Sequence, residues 1–466
     1  MNGDFHGNTK QALMSAPTRD GAYAHFSLDV QQHVIFILNH RAEQNTRSIL
    51  DAHRSPPCEP AFEQPLGPGS RAWHSEPMSA PPPTSAARIA ATVAFFTNGA
   101  LLSTLMARYA EVKQALGLSP LLFGLVVVGA VLGGVLAGQT PALAIRRLGT
   151  ARTSAIGTTA LAAGITVAAI GVTLGQTWML AAGLILSGFL DAAVDVAQNS
   201  QALRIQSALG RSIITRMHAG WSAGAATGAA VGTAAAAWGV PLLIHTAAWG
   251  ALCAIAVVIA ARHYLPDAGP PVDAPAGAPT TSRRRHPALL LAPLALIAVA
   301  GITVEEVANN WSAVYLATER SLPLSMAGIG LSVTLGAQFV GRFLGDIVID
   351  ALGTHTALRL GLGMVTLGLI GGIWTPWTIP ALALWGLAGL GSSVTVPIAF
   401  TEADTISGLK PQTGVTLVSW SMRIMTLALS PSIGAAAAAF SLPIALTGTA
   451  AVAAMGWLAT LALRRH

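Results

Sequence analysis

The chain has 466 residues, 53% of them hydrophobic and 10% charged, with 48 glycines and a formal net charge of +6. A soluble domain carries about 25% charged residues, so this composition excludes an ordinary water-soluble enzyme and points to a polytopic membrane protein. The basic excess has no interleaved aromatic residues; no nucleic-acid partner is expected, and the bias suits short loops on one side of a bilayer.

Residues 1–84 contain no spanning segment: "HVIFIL" (33–38) is too short to cross, and "PPPTSA" (81–86) reads as a linker. The basic start, apolar centre and small-residue cleavage site of a signal peptide are missing. The expectation is a disordered cytoplasmic leader, with translation starting at Met78 as the alternative. The two cysteines, Cys58 and Cys253, lie one in the leader and one in an apolar run. Neither a disulfide nor a zinc spacing follows, so no metal and no cofactor is expected.

Twelve candidate helices follow, at 88–109, 120–141, 153–174, 178–201, 214–238, 241–262, 288–314, 324–346, 356–375, 379–402, 413–437 and 441–463. Each is near the length that spans about 30 Å. The fifth, "HAGWSAGAATGAAVGTAAAAWG", is the weakest, being mostly Ala and Gly; such residues permit close helix contact in lipid. A Pro/Ala/Gly-rich linker at 266–287 divides the spans into two six-helix bundles, 85–265 and 288–466. With the N-terminus inside, the cytoplasmic side receives sixteen Lys/Arg and the outside three (Arg108, Lys113, Arg320), while Arg423 lies within a span. Both termini are therefore expected in the cytoplasm, with the protein multi-pass in the inner membrane.

The halves repeat. "YAEVKQALGLSPLLFGL" (109–125) and "YLATERSLPLSMAGIGL" (315–331) share Tyr, Leu, Leu, Ser, Gly and Leu at an offset of 206, and "LGT" occurs at 148–150 and 352–354. Parallel repeats of six helices suit transporters that bind substrate between their halves.

"GRFLGDIVIDALGT" (341–354) resembles the loop signature between helices 8 and 9 of the major facilitator superfamily: a glycine, an acid, then a second glycine. The first-half counterpart, "GGVLAGQTPALAIRRLGTAR" (133–152), keeps the glycines and Arg146/Arg147 but has Gln139 and Thr140 where the acid belongs. Four stretches resemble, more narrowly, a bacterial branch of inner-membrane transporters distantly related to sugar permeases such as the fucose permease. They are "FFTNGALLSTLMARYAEVKQALGLS" (95–119), "DAAVDVAQNSQALRIQSALGRSIITRMHAGWSAG" (191–224), "EEVANNWSAVYL" (305–316) and the loop just quoted. Tyr109 stands where that branch has a proline, and Asn310 where it has an acid. The resemblance implies an all-α protein of twelve transmembrane helices in two six-helix pseudo-repeats. It further implies a cavity lined by helices 1, 4, 7 and 10, and a gating role for Arg146, Arg147, Gly341, Arg342, Gly345 and Asp346.

A charge at mid-span costs roughly 2.5–3.5 kcal/mol on insertion scales, so such residues are functional candidates. Asp191, Asp195 and Asn199 form one i, i+4, i+8 stripe on the fourth helix. It reads either as a proton-carrying track on the cavity wall or as partners of Arg204, Arg211 or Arg216. Glu305, Asn309 and Ser312 form a similar stripe on the seventh helix, Glu305 for coupling or substrate contact, with Glu306 capped by backbone near the rim. Asn98 and Thr97 on the first helix and Ser392, Ser393 and Thr395 on the tenth fit the same cavity. Arg423 anchors an anionic substrate group or neutralises Glu305 or Asp191; without a partner its burial would be very costly. Trp420 stacks on substrate, whereas Trp311 suits an interfacial anchor. His218 and Ser222 are expected to hydrogen-bond a helix end, Arg342 and Asp346 to latch the halves, and Pro397 and Pro431 to kink helices 10 and 11.

No nucleotide loop, catalytic triad or metal motif is present in the sequence, so no enzyme activity is expected. The expected function is secondary active transport of a small polar metabolite, sugar-like or an organic anion, by alternating access coupled to protons, with a monomer in the lipid bilayer. A multidrug or amphiphile efflux pump of the same fold, and a membrane sensor or enzyme, remain as alternatives.

Overall fold

The computed structural model describes residues 84–210, 213–267, 287–406, 413–461 and 463; the leader before Thr84 and the linker after Asp267 lie outside the described residues. The helices belong to one compact unit, Ser79–His466. Twelve long helices are described: α1 (Thr84–Ala115), α2 (Pro120–Ala137), α3 (Thr140–Thr173), α4 (Thr177–Leu209), α5 (Ile214–Ala237), α6 (Leu242–Ala261), α7 (Leu291–Glu319), α8 (Ile329–Leu352), α9 (Thr354–Trp374), α10 (Thr378–Asp404), α11 (Thr413–Ala439) and α12 (Leu442–Ala459). Eleven are long and apolar enough to cross a membrane, α5 being the exception. Its length suffices, but Ala and Gly leave it low in hydropathy.

The reason for that composition is packing. A Cβ on Gly224, Gly228 or Gly232 would stand 1.9, 2.3 and 2.3 Å from the carbonyl oxygens of Phe96, Ala100 and Thr104. The stripe of glycines lets α5 lie backbone to backbone on α1, the small-residue contact that replaces the hydrophobic effect where the surroundings are themselves apolar.

Helix pairings recur six helices apart. α1 packs on α5 and α6, α3 on α4 and α6, and α2 on α4; α7 packs on α11 and α12, α9 on α10 and α12, and α8 on α10. The repeated "LGT" marks a shared turn. Gly149 has φ 78° and ψ 166°, and Gly353 φ 77° and ψ 152°, each starting the membrane part of α3 or α9. Positive φ costs glycine little and other residues much.

In the first copy this turn is clasped. Thr150 donates its N–H to Asp267 Oδ2 at 3.0 Å and its hydroxyl to Oδ1 at 2.8 Å, and Arg204 of α4 forms an ion pair with the same carboxylate. A Cβ on Gly149 would fall 2.3 Å from Asp267 Oδ2, so the glycine also makes room. Burial alone would raise the Asp267 carboxyl, but the hydrogen bonds from Arg204 and Thr150 outweigh it and hold the group below the ordinary carboxylate value.

The two six-helix groups meet through α2 on α11 and α5 on α8. Contact is tight at the end where the α1–α2 and α7–α8 connections lie. There a Cβ on Gly124 would sit 2.4 Å from Ser430 O, and one on Gly434 2.5 Å from Pro120 O. Toward the arginine-rich end the groups part: Asp195 of α4 and Arg423 of α11 are exposed, and Trp420 is 52% exposed. The tenth span breaks between Ser392 and Thr395. Pro397 has no N–H for the carbonyl of Ser393 four residues back, and its ring crowds that carbonyl. α11 runs on through Pro431 as one helix.

Gly228→Val should cost about 1–3 kcal/mol by overpacking, seen as a lower Tm in detergent, whereas Gly448→Ala, with nothing within 4 Å of the added carbon, should leave Tm unchanged. Because the folded-state value of Asp267 is depressed, its stabilisation is present above the unfolded value and lost as pH falls through the folded one. The Tm deficit of D267N relative to wild type should therefore be largest near neutral pH and shrink on acidification.

Candidate functional site

Asn98 of α1 is 6% exposed and ties three helices together. Its Nδ2 donates to Asp191 Oδ1 of α4 at 2.6 Å, and its Oδ1 accepts from Trp221 Nε1 of α5 at 2.8 Å. The amide has one orientation that serves both partners, since a carboxylate needs a donor and an indole needs an acceptor.

The second half reaches into this group through one side chain. Arg342 of α8 donates Nη1 to Ser222 Oγ of α5, and its guanidinium carbon lies 5.9 Å from the centre of the Trp221 ring. Its Nη2 donates to Glu305 Oε1 of α7 at 2.8 Å. Gln338, one turn before Arg342, donates to the same Glu305 oxygen at 2.7 Å and lies 3.2 Å from Ser392 Oγ of α10. A polar chain thus runs Asp191–Asn98–Trp221, then Arg342–Glu305–Gln338–Ser392. The ion pair is about four-fifths buried on both sides, at 20% and 21% exposure. It belongs with charge-assisted bonds worth about 1.5–3 kcal/mol, above the roughly 0–1 of an exposed pair.

This arrangement corrects the expectation for Arg423. Among the described residues it forms no ion pair: Glu305 is taken by Arg342, and Asp191 is held by Asn98. Arg423 instead projects into open space, within electrostatic reach of Asp195. Exposure removes the desolvation cost that had made a partner necessary. Asp195 accepts from Asn199 Nδ2 at 2.9 Å, so the expected stripe on α4 exists. Arg204, one of the possible partners for these aspartates, is spent on Asp267.

The stripe expected on α7 is broken by a π-helical turn, Val307–Trp311. Glu305 bonds across to Gln338 and Arg342 of α8. Asn309 is half-buried, and Ser312 bonds to the carbonyl of Ala308. The polar pair is Glu306 with Asn310, whose Nδ2 donates to Glu306 Oε1 at 2.8 Å. Glu306 is therefore held by a side chain and buried at 5% exposure, not capped by backbone near the rim. Trp311 is likewise no interfacial anchor: it is fully buried, donates Nε1 to Ser430 Oγ at 3.0 Å and meets Phe123 edge-on at 5.3 Å.

Of the residues given a gating role by resemblance, Arg342 joins the chain just described and does not pair with Asp346, which is exposed. Gly341 lets α8 approach α10, a Cβ there falling 2.8 Å from Leu390 O, while Gly345 is in ordinary contact distance of Val394. Arg146 and Arg147 are exposed just before the Gly149 turn. Ser222 donates to the carbonyl of His218 at 3.2 Å, a bond within α5 and not to a helix end, and it also accepts from Arg342. Gln338 was missed by the sequence reading, although its i, i+4 spacing to Arg342 is the signal that finds it.

A family model for the major facilitator superfamily matches residues 89–408. The chain belongs to that superfamily. It is 30% identical over 231 residues to an uncharacterized MFS-type transporter of Yersinia pestis, covering 48% of this chain and 56% of that one. It is 27% identical over 320 residues to an uncharacterized transporter of Sinorhizobium fredii, covering 66% and 80%. The superfamily fold is also that of the nucleoside transporter NupG, solved as a point mutant (TM-score 0.62, 13% identity, 82% of this chain and 100% of that one). A bacterial homolog of the human lysosomal transporter Spinster, inward-facing and unoccupied, matches equally (0.62, 14%, 82% and 98%). The Escherichia coli fucose:proton symporter FucP, also a point mutant, follows (0.51, 16%, 81% and 98%). The chain spans about half the length of the Yersinia relative and is a multi-pass membrane protein of this superfamily.

E305Q and R342A should each lower Tm, and the double variant should lose less than the sum. The coupling should be about 0.5–3 kcal/mol, as for groups in one network, read by chemical unfolding in detergent.

Proposed function

We propose that this transporter is proton-coupled and carries a small polar metabolite, sugar-like or an organic anion, by rocking of the bundles 85–265 and 288–466. The carrying observation is Asp191. It lies on α4 against the amide of Asn98 of α1, one turn from Asp195, with no cation in ion-pair contact among the described residues. Two carboxylates one helical turn apart, with Arg423 reaching only Asp195, are a pair able to share a proton.

The remaining groups around the opening suit a hydroxylated or anionic solute. Asp195 and Asn199 offer acceptors and a donor, Trp420 an aromatic face, and Arg423 an uncommitted guanidinium able to grip a carboxylate with two bonds. Likeness of fold to a fucose:proton symporter and a nucleoside transporter supports a solute of this size. Taking the arginine-rich end as the cytoplasmic one by the positive-inside rule, we read this conformation as inward-open in the inner membrane, with both termini inside.

A thermal-stabilisation screen over hexoses, nucleosides and small carboxylates should yield a stabilising compound. Its uptake into proteoliposomes should accelerate when the outside is made acidic. D191N should abolish that acceleration while leaving counterflow exchange. Uptake indifferent to the pH gradient would reduce the reading to facilitated diffusion, and stabilisation by amphiphiles alone would favour efflux.

A further inference from the structure

The tight end of the molecule buries an acid without a cation. Glu306 is 5% exposed and sits where α7 meets α11 and α1, beside the contacts that close the space between the halves. Its partners are neutral. Asn310 donates to it at 2.8 Å, and Ser430 of α11 is within hydrogen-bond reach. Ser430 also receives the indole N–H of Trp311, and Trp311 stacks edge-on against Phe123 of α2, which stacks edge-on against Tyr109 of α1 at 5.7 Å. The closure therefore assembles around the Glu306 carboxyl, with groups from both halves.

The charges facing it can be named element by element. On its own helix the ionisable neighbour is Glu305, an acid committed to Arg342 and Gln338 of α8. From α1 it faces Tyr109, from α11 Ser430, and from α2 the ring of Phe123. Arg342 neutralises Glu305, and no other cation of the described residues is bonded to the pair. The hydroxyl of Tyr109 is itself an unusual remainder: 1% exposed, without a hydrogen-bond partner, and within electrostatic reach of Glu306. Its repeat counterpart Tyr315 is equally buried but donates to the carbonyl of Ile373.

We propose that Glu306 is a second proton site, and that it must carry a proton for this end of the transporter to close. An ionised carboxylate buried with neutral partners costs several kcal/mol; a carboxylic acid at the same place keeps the bond from Asn310 and gains a donor for Ser430. Loss of the proton leaves a charge that only water, admitted by opening the α2–α11 and α1–α7 contacts, can accommodate. The π turn supports this use. It begins directly after Glu306 and contains Asn310 and Trp311, and such turns concentrate at functional positions. This inference rests on the proton-coupled reading above and gives it a gate: protons bind Asp191 beside the solute and Glu306 at closure.

The experiment needs no solute, because the probe is the proton. Spin labels are placed on Gln114→Cys of α1 and Thr318→Cys of α7, both exposed at the closed end, with Cys58→Ser and Cys253→Ala. Distances are measured in nanodiscs across a pH series. Wild type should move from a short to a long distance as pH rises, the open-to-closed ratio changing up to ~tenfold per pH unit for one linked proton. E306Q should stay short at every pH. E306M, neutral and of similar volume, should do the same, so that one failed variant does not decide the matter. A wild type insensitive to pH, or E306Q and E306M that shift like wild type, overturns the proposal. If D191N and not E306Q removes the shift, proton coupling stands and the Glu306 gate falls.

Discussion

Everything in this structure answers to the cost of placing charge and polar backbone where water is scarce. Arg342 is the residue through which that constraint is met. It is the cation held in the closed part of the interface, and it contacts groups of both halves: Glu305 of α7 on one side, Ser222 and the face of Trp221 on the other. Because Glu305 consumes its charge, the two aspartates on α4 are left to the amides of Asn98 and Asn199, and Arg423 on α11 stays out of any ion pair among the described residues. A pairing between Arg423 and Glu305 would have emptied the site of the groups a solute needs.

Small residues make the rest possible. The glycine stripe of α5 brings the Trp221 indole onto Asn98, and Gly124 and Gly434 bring α2 and α11 into backbone contact at the closed end. These contacts are dispersive and close, so they tolerate no added carbon, yet they separate without breaking strong bonds. The strong interactions sit elsewhere. Asp267, Thr150 and Arg204 brace one half internally, and Arg108 and Arg320 donate to the backbone carbonyls of Val240, Ile373 and Thr375 at helix ends of their own half. Such a distribution suits two units that move against each other as bodies.

Much of this was legible in the chain. Apolar run lengths mark the twelve helices, and the arginine bias marks two unlike ends. The "LGT" repeat marks a turn that the backbone angles of Gly149 and Gly353 reproduce within 14°. Asp191, Asp195 and Asn199 were readable as one face because α4 is a regular helix there. On α7 the spacing could not choose. Glu305 and Asn309 are four residues apart, and so are Glu306 and Asn310, which bond; the two rows satisfy the same helical rule, and only packing shows that the second is the enclosed one.

By itself, the sequence determined the class of molecule: an all-α membrane protein in two related halves, with a few costly polar residues at mid-span, because hydropathy, glycine content and charge bias are properties of composition and order along the chain. Only the tertiary structure decided which of those residues meet. Glu305 pairs with Arg342 because α7 and α8 adjoin at that height, Arg423 is left free because its side of α11 faces open space, and Glu306 is enclosed because the halves close over it. Partnership between charges depends on separations of a few ångströms between segments far apart in sequence, and no local pattern encodes those separations.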